Sequence, residues 1–225
     1  MDKLIIPIDD KEQLEVYSHV GPFDNGVAAL KAEGLELITA RELAEARILA
    51  GPKHPVSQSG TWVAEHPIYL PNKEADILIV DRAHSLLVKS AREAADANRG
   101  NKDFYLDEAV VDELRGLATP DGKNGVLFLP RNALPNSVPI KALAENAFMR
   151  FLFGDQAEAY SRFLGDVYFG RSISAQFIYD NRDLKGGSPL CRALWVGNIY
   201  RGIDDYYLLH HGLGQVLGVR RAPAP

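Results

Sequence analysis

The chain has little of what builds covalent, metal-held or membrane-anchored folds. Cys191 is the single cysteine among 225 residues, which excludes an internal disulfide and a zinc site made of cysteines. No stretch approaches the roughly 18 consecutive apolar residues that a membrane-spanning helix needs, and the apolar run after Met1 is too short for a signal peptide. The net charge of −5 gives no electrostatic reason to expect a nucleic acid.

These absences set the first expectations for the chain. We expect no cofactor, no nucleic-acid partner and no membrane span. We expect synthesis in the cytoplasm, with later display on a virion or a cell surface left open. The length and the 46% hydrophobic content suit one compact unit.

Residues 196–214 lack five residue types together: Lys, Glu, Gln, Met and Trp. The whole chain holds 10 Lys, 13 Glu, 5 Gln, 2 Met and 2 Trp, so a segment of this length would miss all of them by chance with odds of about one in twenty. The segment instead combines tyrosines, histidines, small residues and charges of both signs. Such a mixture is typical of a contact surface rather than of a core or a solvated tail.

Two apolar motifs flank this segment. The sequence PLCRALW over 189–195 predicts a buried strand before it, and the alternation in QVLGVRR over 215–221 predicts a strand after it. PLCRALW, the segment and the closing VLGVR of 216–220 together resemble the variable proteins of diversity-generating retroelements, of the archaeal and candidate-phylum bacterial type. In that family a reverse transcriptase copies a template repeat with errors at adenines. Mutated AAY codons then become NNY codons, which exclude the five residue types that the segment lacks.

The resemblance implies an α+β protein with a C-type lectin-like fold, built from mixed and antiparallel strands and a few short helices. It implies one unit over 1–225, with a possible division into an α/β portion at 1–120 and a lectin core at 121–225. The variable region would cover 190–221. The implied function is display of a hypervariable surface that binds changing ligands, either proteins or cell-surface molecules, and the implied protein is not an enzyme.

The resemblance also divides the variable region into displayed and supporting residues. The displayed, ligand-binding side chains would be Val196, Asn198, Tyr200, Arg201, Asp204, Asp205, Tyr206, Tyr207, Leu209, His210 and His211. The supporting residues would be Leu194, Trp195, Val216, Gly218 and Val219. Displayed aromatic side chains would supply rigid contact area, and the charged and amide side chains would supply polar specificity. No catalytic residue and no metal site are implied.

Three patterns outside the variable region predict local structure. Thr39 and Glu42 fit a capping box, which predicts a helix that starts after Thr39. Pro67 interrupts a strand-like run and predicts a sheet edge or a bend. Residues 147–153 are ambiguous between a helix and a strand, and their alternation suits a strand buried on both faces.

Other functions remain open from the sequence. One is a lectin-like interaction module of fixed specificity, and another is a small hydrolase that uses His66 or His210. Ser57 or Ser59 could act beside His66, although no triad spacing is present. The adjacent His and Asp pairs of the segment resemble a metal cluster, but adjacent residues on a strand face opposite ways. The acidic residues of 180–183 could bind calcium, and a solvated turn is the simpler reading.

Overall fold

The computed structural model describes residues 1–71, 76–134, 136–167, 172–177, 187–199, 201–205, 209–210 and 212–224, and only the backbone of Asn132. Within these ranges the strands are β1 (Asp2–Pro7), β2 (Glu12–Val20), β3 (Thr61–Trp62), β4 (His66–Tyr69), β5 (Ile77–Val80), β6 (Phe104–Tyr105), β7 (Val126–Leu129), β8 (Ser137–Pro139), β9 (Ser172–Gln176), β10 (Leu190–Cys191), β11 (Trp195–Val196), β12 (Ile203–Asp204) and β13 (Gln215–Pro223). The α-helices are α1 (Phe23–Ala32), α2 (Ala40–Ala50), α3 (Pro55–Gln58), α4 (Leu86–Lys89), α5 (Ala91–Arg99), α6 (Glu108–Leu117), α7 (Ala147–Phe153) and α8 (Ala157–Val167). Short 3₁₀ helices cover Arg131–Ala133, Ile140–Ala142 and Gly154–Gln156.

The strands form two sheets in the described part of the chain. Sheet 1 has the order β1-β2-β13-β3-β11-β12-β9-β8, and sheet 2 has the order β6-β10-β4-β5-β7. Sheet 2 is antiparallel throughout, whereas in sheet 1 the pairs β13–β3 and β12–β9 are parallel. Mixed sheets with separate helices confirm the predicted α+β class. Among the described helices, none has both the length and the apolar character needed to cross a membrane.

Both sheets contain strands from before and after residue 120. In sheet 1, β13 pairs with β2 residue by residue, from Gln215 opposite Val20 to Pro223 opposite Glu12. In sheet 2, β10 lies between β6 and β4. Backbone hydrogen bonds therefore connect the two portions into which the sequence could have been divided.

Sheet 2 is buried on both faces. Along β5, Ile77 and Ile79 belong to one apolar cluster and Leu78 and Val80 to the other. Helices α2, α7 and α8 contribute to the first cluster, and α1, α5 and α6 contribute to the second. Because both faces are covered, β5 is apolar throughout rather than alternating.

Helix α2 begins where the capping box predicted. The Thr39 side chain accepts a hydrogen bond from the Glu42 amide at 3.1 Å, and the Glu42 carboxylate accepts one from the Thr39 amide at 2.8 Å. Gly51, with φ of 79°, ends the helix. The capping-box prediction is confirmed.

Residues 147–153 form helix α7, so of the two alternatives that the sequence left open the helix is confirmed and the strand is wrong. The Asn146 side chain accepts a hydrogen bond from the Met149 amide at 3.1 Å and caps the helix. Gly154 ends it with φ of 55°. Because buried residues cover most of this short helix, its sequence lacks the polar face that would have revealed a period of 3.6.

Pro67 does not lie at a sheet edge, so of the two alternatives predicted from it the edge is wrong and the bend stays a prediction. Strand β4 lies between β10 and β5, and the Pro67 carbonyl accepts a hydrogen bond from the Arg192 amide at 3.2 Å. The proline nitrogen faces the same side as this carbonyl, and the β10 strand has already ended at Cys191 there. The missing N–H of proline is therefore tolerated inside the sheet.

A buried carboxylate ties together the three strands β1, β2 and β13. Glu15 accepts hydrogen bonds from Lys3 at 2.5 Å, from Tyr17 at 2.8 Å and from Arg220 at 2.8 and 3.1 Å. Arg220 lies directly opposite Glu15 in the β2–β13 register. The hydrogen bonds from Lys3, Arg220 and Tyr17 lower the pKa of the Glu15 carboxyl to about 2.

This lowered pKa makes the stability of the fold depend on pH. Between the ordinary pKa of 4.5 and the folded pKa of about 2, the unfolded chain binds a proton at Glu15 that the folded chain does not, so stability falls as the pH falls. We expect Glu15→Gln to lower the urea midpoint at pH 6, and we expect the difference from the parent to shrink towards pH 3. The control is Glu12→Gln on the same strand, because the ion pair of Glu12 with Arg221 lies at the surface and contributes little to stability. A midpoint difference that is the same at every pH would contradict this prediction.

Candidate ligand-binding surface

The chain crosses from sheet 2 to sheet 1 between β10 and β11. The Leu194 carbonyl accepts a hydrogen bond from the Val63 amide at 3.0 Å, and Leu194 itself is fully buried. Arg192, also buried, donates to Asp103 at 3.0 Å. The lead-in, predicted from PLCRALW as a buried strand, is therefore a crossover between two sheets that contributes one two-residue strand to each.

Aromatic rings pack at the base of the segment. Trp62 contacts Trp195 and Phe23 edge-to-face, with ring centroids 5.3 and 5.6 Å apart. A Cβ atom at Gly60 would lie 2.5 Å from the Trp195 ring, and one at Gly214 would lie 1.8 Å from the Trp62 ring. Glycine is needed at both positions because only its missing side chain leaves room for the indole rings.

A hairpin follows, in which β11 pairs with β12, and the described residues 197–199 and 201–202 belong to the loop. The Gly197 amide donates to the Gly202 carbonyl at 2.9 Å, and the Arg201 amide donates to the Asn198 carbonyl at 2.9 Å. A Cβ atom at Gly202 would lie 1.9 Å from the carbonyl oxygen of Ser174 on β9. The loop therefore rests directly on the backbone of the neighbouring strand.

Arg47 of α2 fixes this loop through hydrogen bonds from the interior of the fold. Its guanidinium donates to the carbonyl oxygens of Val56 at 3.1 Å, Ser59 at 2.8 Å and Gly197 at 2.8 Å, and to the Tyr160 hydroxyl at 2.9 Å. Arg47 is 0% exposed. Within the described residues no carboxylate forms an ion pair with it, so neutral oxygens alone compensate for the loss of water around this charge.

Four of the predicted displayed residues reach the surface. Arg201 is exposed, and Asn198, Asp204 and His210 are half-buried; we call these four the display positions. His210 lies with its Nδ1 atom 2.7 Å from the Asn98 side-chain oxygen. The structure does not describe the predicted displayed residues Tyr200, Tyr206, Tyr207 and His211.

Three other predicted displayed residues are buried, and the prediction that they project outward is wrong. Val196 lies in the first apolar cluster and Leu209 in the second. Asp205 accepts a hydrogen bond from the Tyr69 hydroxyl at 2.8 Å and lies 3.9 Å from the Nε atom of Arg192. The segment passes through the core between its exposed residues. These three buried residues therefore support the surface from the inside instead of contacting a ligand.

Asp204 differs from its neighbour Asp205. Burial, and then the nearby charge of Asp205, raise the pKa of Asp204 to about 6, while Arg201 opposes this shift. Its Oδ1 atom is buried and has no hydrogen-bond partner among the described residues.

The predicted supporting residues lie along the crossover and β13. Leu194 and Val216 are buried, whereas Trp195 and Val219 are partly buried. A Cβ atom at Gly218 would lie 2.8 Å from the Leu30 side chain and 2.9 Å from the Glu36 carbonyl. The close approach of β13 to helix α1 therefore depends on the glycine.

The histidine of the hydrolase alternative meets a different serine. His66 Nδ1 lies 3.2 Å from the Ser85 hydroxyl, rather than close to Ser57 or Ser59. The same Ser85 oxygen accepts a hydrogen bond from the Val88 amide at 3.2 Å, as the cap of α4. Burial lowers the pKa of His66 to about 4, which makes it a weak base. This geometry is that of a capped helix backed by a neutral histidine.

Two metal sites were left open by the sequence, one at the His and Asp pairs of the segment and one at the acidic residues of 180–183. In the part of the chain that the structure describes, no three His, Cys, Asp or Glu side chains are grouped so that they could hold a metal ion. The acidic residues of 180–183 lie outside the described residues.

The architecture resembles the solved structure of a protein from Nanoarchaeota, reported as an example of accommodation of massive sequence variation by the C-type lectin fold. The two structures agree with a TM-score of 0.63 over 95% of this chain and 100% of that one, at 18% sequence identity. The chain has a C-type lectin fold. Its sequence matches no protein-family model and none of the curated proteins.

Arg47 supports the hairpin of this C-type lectin fold but was not among the residues predicted from the sequence. The signal was present: Arg47 follows the buried Leu43 by four residues and so lies on the same face of α2. A charged residue on an apolar helical stripe indicates a buried polar contact.

We expect Arg47→Met to lower the free energy of unfolding by about 3–5 kcal/mol, because three buried carbonyl oxygens lose their donor. The control is Arg41→Met on the same helix. Arg41 pairs with Asp155 at the surface, and its loss should cost less than about 1 kcal/mol. Denaturant titration of both variants measures the difference. Equal losses in the two variants would show that the buried contacts carry no special weight.

Proposed function

We propose that the chain is a binding protein rather than an enzyme, and that its C-terminal segment is hypervariable through retroelement-driven mutagenesis at adenines. Its exposed side chains bind changing ligands, of which proteins and cell-surface molecules are the expected classes. The C-type lectin fold supports this proposal, as does the absence from residues 196–214 of the five residue types that NNY codons cannot encode.

One structural observation carries the proposal: the hairpin loop is held through backbone atoms. The Gly197 carbonyl accepts from Arg47, the Ile199 amide donates to the Ser57 carbonyl at 3.1 Å, and the loop closes on itself through Gly202. At the far end of the segment, the Leu209 carbonyl accepts from the Phe23 amide at 2.8 Å. Because backbone groups are present whatever the side chain is, exposed residues can change without loss of these anchors.

The display positions supply the chemistry that a protein ligand would need. The guanidinium of Arg201 can bind a carboxylate with two hydrogen bonds. Asp204 supplies a half-buried carboxyl group, and Asn198 supplies a half-buried amide whose nitrogen donates to the Gln58 carbonyl at 3.4 Å. Because such contacts come from single side chains on fixed backbone, a substitution changes which ligand is bound.

Population sequencing of the 3′ end of the gene and of its flanking DNA tests the mutagenesis. We expect a nearby template repeat, and differences confined to its adenines and to codons 196–214. Within those codons, variation should occur at the display positions and be absent at Gly197, Gly202 and Gly214, where a Cβ atom has no room. An invariant segment without a repeat would overturn the proposal and leave a lectin-like module of fixed specificity.

A second test measures whether the frame tolerates variation. We expect a library with NNY codons at the display positions to remain largely folded, because each exposed substitution changes stability by about 0.5 kcal/mol or less. Protease resistance of displayed clones reports the folded fraction. Selection of that library against immobilised purified proteins should then yield binders.

The matched control library carries NNY codons at the buried positions Val196, Ile199, Ile203 and Leu209. Polar or small residues there cost about 2–5 kcal/mol each, which is a large part of the stability of a domain. The control library should therefore be mostly unfolded. Similar folded fractions in both libraries, or a folded first library without any binder, would contradict the display mechanism.

A further inference from the structure

A pocket of about 380 Å³ lies away from the C-terminal segment, between helix α1, the chain that follows it, and helix α4. Its lining residues are Val27, Lys31, Leu35, Glu36, Leu37, Arg82, Ala83, Ser85, Val88 and Lys89. The volume falls within the range of small-molecule sites in proteins. No display position and no supporting residue of the variable region contributes to it.

The pocket has an apolar wall with one fixed polar group. Val27, Leu35, Leu37 and Val88 supply the wall. Ser85 supplies the polar group, and its hydroxyl is held in place by the Val88 amide and by His66. A wall of branched aliphatic side chains favours a hydrocarbon group over a polar one.

The charges around the pocket favour an anion. Arg82 is neutralised by Glu42 at 2.9 Å and by Glu36 at 3.2 Å. Lys31 and Lys89 form no ion pair among the described residues, and both are exposed. Arg82 with its two carboxylate partners carries a net charge of −1, so Lys31 and Lys89 leave the mouth of the pocket with a net charge of +1 on a chain whose net charge is −5. Such a local reversal of charge attracts a negative ligand to this mouth.

We propose that this pocket binds a free organic anion with an apolar tail, of the size of a medium-chain carboxylate. The tail packs against the aliphatic wall, and the carboxylate lies at the mouth, within reach of Lys31 and Lys89. The site is independent of the variable region, so every variant of a diversified family would retain it.

Octanoate is the probe, titrated into the intact chain while methyl NMR signals are followed. We expect saturable shifts of the Val27, Leu35, Leu37 and Val88 methyl groups at millimolar octanoate. Octan-1-ol has the same tail without the charge and should bind roughly tenfold more weakly. The absence of saturable shifts, or equal binding of the alcohol, overturns the proposal.

A pair of double variants tests the role of the two lysines. Lys31→Glu with Lys89→Glu should weaken octanoate binding by roughly tenfold or more. Lys53→Glu with Lys141→Glu changes the net charge equally, at exposed lysines outside the pocket, and should leave the affinity unchanged. Equal losses in the two double variants would show a general charge effect and overturn the assignment.

A third arm separates a free ligand from a lipid surface. Sedimentation with phosphatidylglycerol vesicles should leave the protein in the supernatant, because the proposed ligand enters the pocket singly. A different outcome is that the parent protein pellets with the vesicles, that the Lys31→Glu/Lys89→Glu variant does not, and that octanoate does not bind. The ligand of the pocket would then be a lipid surface, and the proposal of a free anion would be overturned. Neither result bears on the hypervariable segment, since none of its residues lines the pocket.

Discussion

The candidate surface depends on the hydrogen bonds that the Arg47 guanidinium donates. The guanidinium joins helix α2 to the carbonyl oxygens of Val56, Ser59 and Gly197 and to the hydroxyl of Tyr160, so that four stretches of chain meet at one buried cation. A buried charge is expensive unless its donors are all used, and the hydrogen bonds to neutral oxygens offset that cost without a carboxylate. Since three of the acceptors are backbone carbonyls, the position of the hairpin does not depend on which side chains the loop carries. The same contact therefore supplies stability and permits variation.

Buried and exposed residues alternate along the segment at short range, and this alternation separates support from display. Asp204 and Asp205 are neighbours, yet Asp205 is bound to Tyr69 in the other sheet and Asp204 has an oxygen without a donor among the described residues. Successive residues of a strand face opposite ways, so adjacent carboxylates can serve opposite purposes. The segment therefore contributes some of its own side chains to the core, and the side chains between these contacts are the ones that reach the surface.

Sequence patterns predicted the parts of this structure that depend on neighbours in the chain. The capping box at Thr39 is such a case, because its cause lies within a few residues, whereas the α+β class was predicted from the family resemblance of the C-terminal motifs. The burial of Asp205 could not be predicted, because its partner Tyr69 is 136 residues away. The helix at residues 147–153 could not be distinguished from a strand for a different reason. Because most of its residues are buried, its sequence has no polar face that would show the helical period of 3.6 residues. Val196 and Leu209 were assigned to the surface with the segment as a whole, although each side chain lies in the core.

The limits of the compositional gap coincide with points where the chain is fixed. Trp195 and Gln215, the nearest residues on each side that NNY codons cannot encode, flank residues 196–214. Trp195 packs edge-to-face on Trp62, and the Gln215 carbonyl accepts a hydrogen bond from the Thr61 hydroxyl at 3.0 Å. Both anchors are therefore held by the same short strand, β3, in the interior of sheet 1. A segment whose two ends are fixed to one strand can change between them without altering the path by which the chain enters and leaves the core. The compositional gap therefore begins and ends beside residues that contact β3, an arrangement compatible with the proposed function.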